Sequence, residues 1–209
     1  MARTPEQINA RAATLRDNYS KTIAAIDNDT SLSDLGKQQR LAETYLDTRK
    51  ELTALRRELE GEVTAKRNSL EQQLFGLPAP SSADRILSWR DAEDRASTLD
   101  TVEHAEALMQ RALRGSDRIL ANAVAGKAWS IAGGIQTEAA REWGIRVLDP
   151  WLATRPEAED LLRDLLDITD VSNSTKVATN FAFNIAKPRL LATTSDVQLM
   201  QLAEGVTTP

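Results

Sequence analysis

The 209 residues carry 41% hydrophobic, 27% charged and only 4% aromatic side chains, a mix rich in Ala, Leu, Arg, Glu and Asp that favours helices over strands. There is no cysteine, which excludes disulfides, thiolate nucleophiles and thiolate metal sites, and His104 is the single histidine. The net charge of −5 is uneven: residues 1–75 hold 12 basic and 12 acidic groups, residues 76–209 hold 14 and 19, so neither part offers the basic face of a nucleic-acid binder.

In "RTPEQINA", Thr4 is placed to cap a helix, Pro5 suits its first position and Gln7 completes a capping box. Ile8, Ala12, Leu15, Tyr19, Thr22 and Ile26 then step 4-3-4-3-4, the seam of a coiled coil. The pattern ends at "DNDTSLSD", whose short polar side chains compete with the helix for backbone hydrogen bonds. Counted as a calcium loop from Asp27, the segment offers Asp27, Asp29 and Ser31 at positions 1, 3 and 5. It fails at Leu32, where the turn needs glycine, and at Gln38, where a bidentate glutamate belongs. No calcium binding is expected; Ser31 or Ser33 should cap the next helix, with Leu32 packed across the turn.

That helix is predicted from about Asp34 to Phe75, on the order of 60 Å long at 1.5 Å per residue. Leu41, Tyr45, Thr48, Leu52, Leu55 and Leu59 repeat the 4-3-4-3-4 seam, and Val63, Leu70 and Leu74 follow after a shift of register. Glu62 and Lys66 are spaced for a favourable ion pair on the outside, and Gly61 is the one weak interior point. The first helix can cover only half of this length. Leu59, Val63, Leu70, Leu74 and Phe75 are therefore expected to lack a hairpin partner, so either the C-terminal domain folds back over them or another chain covers them. The stop at "GLPAP" lets the domain reach only the end nearest Leu74, which favours self-association or docking on another protein.

"FGLPAPSSAD" marks a boundary: Gly76, Pro78 and Pro80 stop the long helix, and Ser81 with Asp84 is placed to cap the next. Helical segments are expected at about 82–97, 101–114, 117–132, 137–153, 156–168 and 174–186. Asp100/Thr101, Gly115/Ser116 and Gly133-Gly134 separate them, Asp149-Pro150 should break or kink one, and "TRPE" (154–157) reads as a capping box. Apolar residues fall at helical spacing throughout, and small residues in "ILANAVAGKAW" suit close helix contacts. Trp89, Trp129, Trp143 and Trp151 read as core anchors. After Pro188 the tail holds a short segment, capped by Ser195 and Gln198 and stopped by Gly205, with Val197, Leu199, Met200 and Leu202 as its apolar residues. It reads as a loose end or as a short amphipathic peptide for a partner.

The expected organisation is thus all-α: a helical hairpin over 1–75, a linker at 76–81, a multi-helix bundle or array of helix pairs over 82–188, and a tail over 189–209. No GxGxxG, Walker A, HExxH or GxSxG pattern is present, and His104 sits on the first turn of a helix with no nucleophile elbow. The run Glu157, Glu159, Asp160, Asp164, Asp167 and Asp170, relieved by Arg163, reads as a solvated helix face. No cofactor is expected, and no catalytic or metal-binding residue. No apolar run approaches the ~20 residues that span a bilayer, and the N-terminus lacks the apolar core of a signal peptide, so a cytosolic protein without a membrane partner is expected.

Taken together, "TPEQINARAATLRDNYSKTIAAIDNDTSLSDLGKQQRLAETYLDTRKEL", "FGLP", "SWRDAEDRA" and "WLATRPEAEDLL" resemble a family of small helical proteins from the virion-gene region of actinobacterial tailed phages and prophages. The resemblance spans most of residues 4–167, contains no catalytic motif and carries over no functional residue. It implies a non-enzymatic virion assembly or structural protein, scaffolding-type or a minor particle component. Its partners would be itself, as a homo-oligomer, and other virion proteins, in the host cytoplasm during assembly, with the virion as the other location left open. The expected contact residues are Leu59, Val63, Leu70, Leu74, Phe75, Val197, Met200 and Leu202. The competing readings are a metal-dependent helical enzyme using carboxylates and a regulatory helical adaptor unrelated to the particle.

Overall fold

The computed structural model describes residues 3–77, 80–133 and 137–205, with side chains for all of these but 170–180. Pro78 and Gly134, two of the expected helix stops, and the side chain of Asp170 lie outside the described residues. Every regular element among the described residues is helical. The chain divides into two compact units, unit 1 from residues 1–63 and 174–209 and unit 2 from residues 64–173. This corrects the expected division at 75/76 and the separate tail: the cut falls inside the long helix, and the C-terminal segment belongs with the N-terminal one.

In unit 1, α1 (Pro5–Asn28) begins with the expected capping box, in which the backbone N–H of Gln7 donates to the Thr4 hydroxyl and the Gln7 amide oxygen accepts from the N–H of Thr4. The turn to α2 (Asp34–Phe75) is held by local bonds. Asp29 Oδ1 accepts from Ser31 N at 2.8 Å and from Ser31 Oγ at 2.6 Å, and Ser33 Oγ accepts from Gly36 N at 3.2 Å. These bonds hold the Asp29 carboxyl below the usual carboxylate range, with the Ser31 hydroxyl as the largest cause. The Asp29 oxygen is thus engaged in forming the turn, and Ser33 supplies the expected cap.

Ile8 and Ala12 pack with Leu52 and Leu55, while Tyr19 and Ile26 pack with Leu41, Ala42 and Tyr45, so the two helices run antiparallel. Within the predicted seam Thr22 is exposed and its neighbour Ile23 turns inward instead. Ion pairs on α2 join Arg56 to Glu60 and Arg67 to Glu71, not the expected Glu62 to Lys66.

The C-terminal segment completes this core. Phe183 joins Ile8, Ala12, Leu52 and Leu55, and Leu191 and Leu199 join Tyr19, Ile26, Leu41 and Tyr45. A 3₁₀ turn (Arg189–Leu191) leads into α9 (Asp196–Ala203), which has the predicted Ser195–Gln198 capping box and ends at Gly205 with φ 72°. The expectation of a loose tail failed because the chain goes on packing past Pro188, which stands just before the 3₁₀ turn, six residues beyond the end of α8 at Ala182. Two apolar side chains beyond it, Leu191 and Leu199, are 1% and 0% exposed.

Tyr19 ties the segment down by donating its phenolic O–H to the Ala186 carbonyl at 2.7 Å. Burial, helped by Tyr45, pushes the Tyr19 phenol from 10.0 to about 12. Because the folded value is the higher one, the associated stability is complete below pH 10.0 and is lost as pH rises toward about 12. Absorbance titration should therefore show one phenolate appearing near pH 12, absent from Tyr19→Phe. The substitution should also cost about 1 kcal/mol through the lost hydrogen bond. A spectrum in which Tyr19→Phe changes nothing above pH 10.0 would refute this placement.

Unit 2 is built on the end of α2 with α3 (Ala83–Ser97), α4 (Val102–Arg114), α5 (Arg118–Ala132), α6 (Glu138–Trp143), α7 (Asp149–Ala153) and the start of α8 (Ala158–Ala182). Ser82, Thr101, Asp117 and Thr137 cap α3 to α6. Three expected interruptions differ. Pro150 neither breaks nor ends its helix: Gly144–Leu148 widens into a π turn, in which Asp149 N–H bonds the Gly144 carbonyl, so the chain passes the proline without the normal ladder. Thr154 makes no capping box, because its hydroxyl donates back to the Trp151 carbonyl at 2.8 Å. α8 runs through the predicted gap at 169–173, since Ser, Asn and Thr cost only tenths of a kcal/mol each and no Gly or Pro lies between 158 and 182.

The core of unit 2 gathers around α5, whose alanines let neighbouring helices approach. Gly126 makes room for Phe75, since a Cβ there would stand 3.3 Å from the Phe75 Cβ. Trp129, Trp143 and Trp151 are buried in this core, and Trp89 packs on its edge half-buried.

Candidate interaction surfaces

The eight residues expected to meet a partner separate into three groups. Leu70, Leu74 and Phe75 lie in the core of unit 2, at 6%, 0% and 7% exposure, where Phe75 sits 6.4 Å from the Trp129 ring and 5.4 Å from the Trp151 ring. At this end of α2 the cover is therefore fold-back of the C-terminal helices, and the preference for another chain is corrected for these three residues. The cover includes Trp129 and Trp151, far along the chain from Phe75, which periodicity does not reveal. Leu59 and Val63 are half-buried, Leu59 against the Ile8–Leu52 cluster. Leu202 is half-buried against the Leu41–Leu199 cluster. Only Val197 and Met200 stand in solvent, 61% and 50% exposed and three residues apart on one face of α9.

Local charges fix how α9 presents that face. Arg49 donates to Asp196 at 3.1 Å while lying over the Tyr45 ring at 5.4 Å. Lys187 donates to the Thr194 carbonyl at 2.8 Å and stands 3.9 Å from Asp196. Leu199 points the other way and is fully buried. α9 is thus a two-turn helix with one anchored face and, on the other, the exposed apolar pair Val197 and Met200.

In unit 2 a cleft of about 570 Å³ lies between the end of α2, α3 and α5, lined in part by Arg67, Glu71, Trp89, Glu93, Lys127 and Trp129. Glu71 accepts from Arg67 Nε at 2.8 Å and from Trp129 Nε1 at 3.3 Å, so its carboxylate has a structural task. The Glu93 carboxyl is raised above its ordinary value by burial and then by its neighbour Asp94. Among the described residues no three His, Cys, Asp or Glu converge as metal ligands. His104 is exposed, 3.6 Å from Asp100 on the first turn of α4.

A second concavity, about 550 Å³, opens between α6, the π turn and α7 on one side and α8 on the other. Leu148, Leu152 and Leu162 are among the residues that form it, and Ile145 and Leu166 rise beside them at 53% and 42% exposure. Sequence reasoning missed it because the π turn changes which residues of 144–152 share a face.

No protein-family model, curated protein or solved structure matches the chain. Among the described residues no helix is long and apolar enough to cross a membrane.

Proposed function

We propose that the chain is a non-enzymatic assembly or structural protein that acts by protein–protein contacts, of the scaffolding or minor-component kind that the phage resemblance implies. In this reading a helical hairpin and a multi-helix bundle each present contact faces. The chain works on itself and on other virion proteins, in the host cytoplasm during assembly if it is of the scaffolding kind, or in the particle if it is a minor component. The observation that carries the reading is the α9 face: Val197 and Met200 stay in water on a helix whose opposite face is anchored by Leu199. A helix held this way contributes to a partner contact without having to order itself first, which lowers the cost of association.

Mass spectrometry of purified particles and of their assembly intermediates tests the setting. The chain is expected in at least one of the two, and its absence from both would overturn the phage assignment. Val197→Asp with Met200→Asp tests the contact. The double variant should leave the melting temperature within a degree or two, because both side chains are exposed, and should reduce the amount of chain recovered with those particles or intermediates.

A further inference from the structure

We propose that the cleft between the end of α2, α3 and α5 binds a small zwitterion: a molecule with an ammonium, a carboxylate and an apolar body, of the class of apolar amino acids and short free peptides. The space exists because part of its lining is small. Ala96, Ala123 and Gly126 carry a methyl group at most, where longer side chains would fill it. At about 570 Å³ the cleft falls within the roughly 300–1,000 Å³ of small-molecule sites. Trp89, half-buried in its wall, leaves part of an indole uncovered for an apolar body.

The charges of the lining sort into a pair that is used and two groups that are not. Glu71 accepts from Arg67 and from Trp129, so the Arg67 and Glu71 charges already compensate each other. Glu93 on α3 and Lys127 on α5 form no side-chain hydrogen bond or ion pair with any described residue, each other included. The lining therefore has no net charge, yet offers one free carboxylate and one free ammonium from different helices. A ligand that is neutral overall and carries one group of each sign matches it. A simple anion would meet repulsion from Glu93, and a simple cation from Lys127; a zwitterion oriented by both avoids each. Burial, and then Asp94, raise the Glu93 carboxyl above its ordinary value, so an ammonium set beside it relieves a charge that its surroundings disfavour. The cleft belongs to unit 2 and α9 to unit 1, so this site does not rest on the α9 contact.

Isothermal titration of the full chain with L-phenylalanine and with L-leucyl-L-phenylalanine tests the site, with the N-acetylated and C-amidated forms of each as controls. Saturable one-to-one binding is expected for at least one of the two, and the tighter of them tells amino acid from peptide. Each blocked form should bind at least about tenfold more weakly, through loss of a charge-assisted hydrogen bond. Glu93→Gln should no longer distinguish the free from the N-acetylated form, and Lys127→Met should no longer distinguish the free from the amidated form. A merely structural loss would instead weaken all forms alike. Both variants should keep their circular dichroism and melting temperature, because neither side chain has a partner to lose. Absence of saturable binding by both probes up to about 10 mM would overturn the proposal. So would blocked forms that bind as tightly as the free ones, or a discrimination left unchanged in either variant.

Discussion

Truncation after Arg189 should unfold or severely loosen unit 1. The cut removes Leu191 and Leu199, 1% and 0% exposed, from a cluster with Tyr19, Leu41 and Tyr45, and also removes Asp196 from Arg49. Each buried leucine is worth about 1.5–3 kcal/mol relative to exposure, and the α1 and α2 side chains beneath them would be uncovered as well. A net stability of roughly 5–15 kcal/mol does not survive several such losses comfortably. The single substitution Leu199→Ala isolates the effect and should cost about 2–5 kcal/mol, whereas Val197→Ala on the exposed face should stay within about 0.5 kcal/mol. Urea denaturation monitored by circular dichroism measures both. An unchanged midpoint for Leu199→Ala would mean that α9 is not packed as described.

Trp151→Ala should be among the most damaging single changes in unit 2, at about 3–5 kcal/mol. Its ring is fully buried against Phe75, at 5.4 Å between centroids, and beneath the Arg155 guanidinium, at 5.1 Å. Its Nε1 donates to Asn122 Oδ1 at 3.1 Å, and the same oxygen accepts from Arg155 Nη1 at 3.2 Å. Arg155 Nη1 also donates to the Leu74 carbonyl at 2.9 Å, satisfying one of the acceptors that the end of α2 leaves open. The three side chains act as one connected set, so Trp151→Ala and Arg155→Ala together should cost less than the sum of the two alone. Trp89→Ala is the control: Trp89 is half-buried and should cost clearly less. If Trp151→Ala proved no worse than Trp89→Ala, the packing of α2 against α5 and α7 would have to be redrawn.

The starts of α1 and α9 were legible in the sequence because a cap is a local device, whereas the start of α3 is capped by Ser82 and not by the expected Ser81. Thr4 with Gln7 and Ser195 with Gln198 lie three residues apart and satisfy each other without help from the rest of the chain. The apolar seam from Ile8 to Leu55 was legible for a similar reason, since its period identifies the face that must be covered. What covers a face is not local. Leu70, Leu74 and Phe75 are covered by side chains such as Trp129 and Trp151, and nothing in the period of α2 distinguishes that from cover by another molecule. Pro188 weighed too heavily as a boundary, because it reports on backbone hydrogen bonding and says nothing of whether Leu191 and Leu199 find a core. Of the candidate surfaces, the α9 face was visible in advance through Val197 and Met200. The concavity beside α8 was hidden by the π turn that precedes Pro150.

Unit 1 is written in two separated pieces, and that sets an order of events during synthesis. Residues 64–173 are contiguous, so their core can close as soon as α8 has begun to emerge from the ribosome. Tyr19 must wait for Ala186, 167 residues downstream, and Ile8 and Leu52 must wait for Phe183. At 5–20 residues per second the interval is on the order of ten seconds, during which the stripe on α1 and α2 stays partly open to water. Loop closure over such a span adds to the folding barrier, so unit 1 should be the later unit to become resistant to protease in a stalled-ribosome series. In that window two growing chains on one messenger expose the same unfilled stripe to each other. Transient pairing between neighbouring nascent chains is therefore the hazard built into this arrangement.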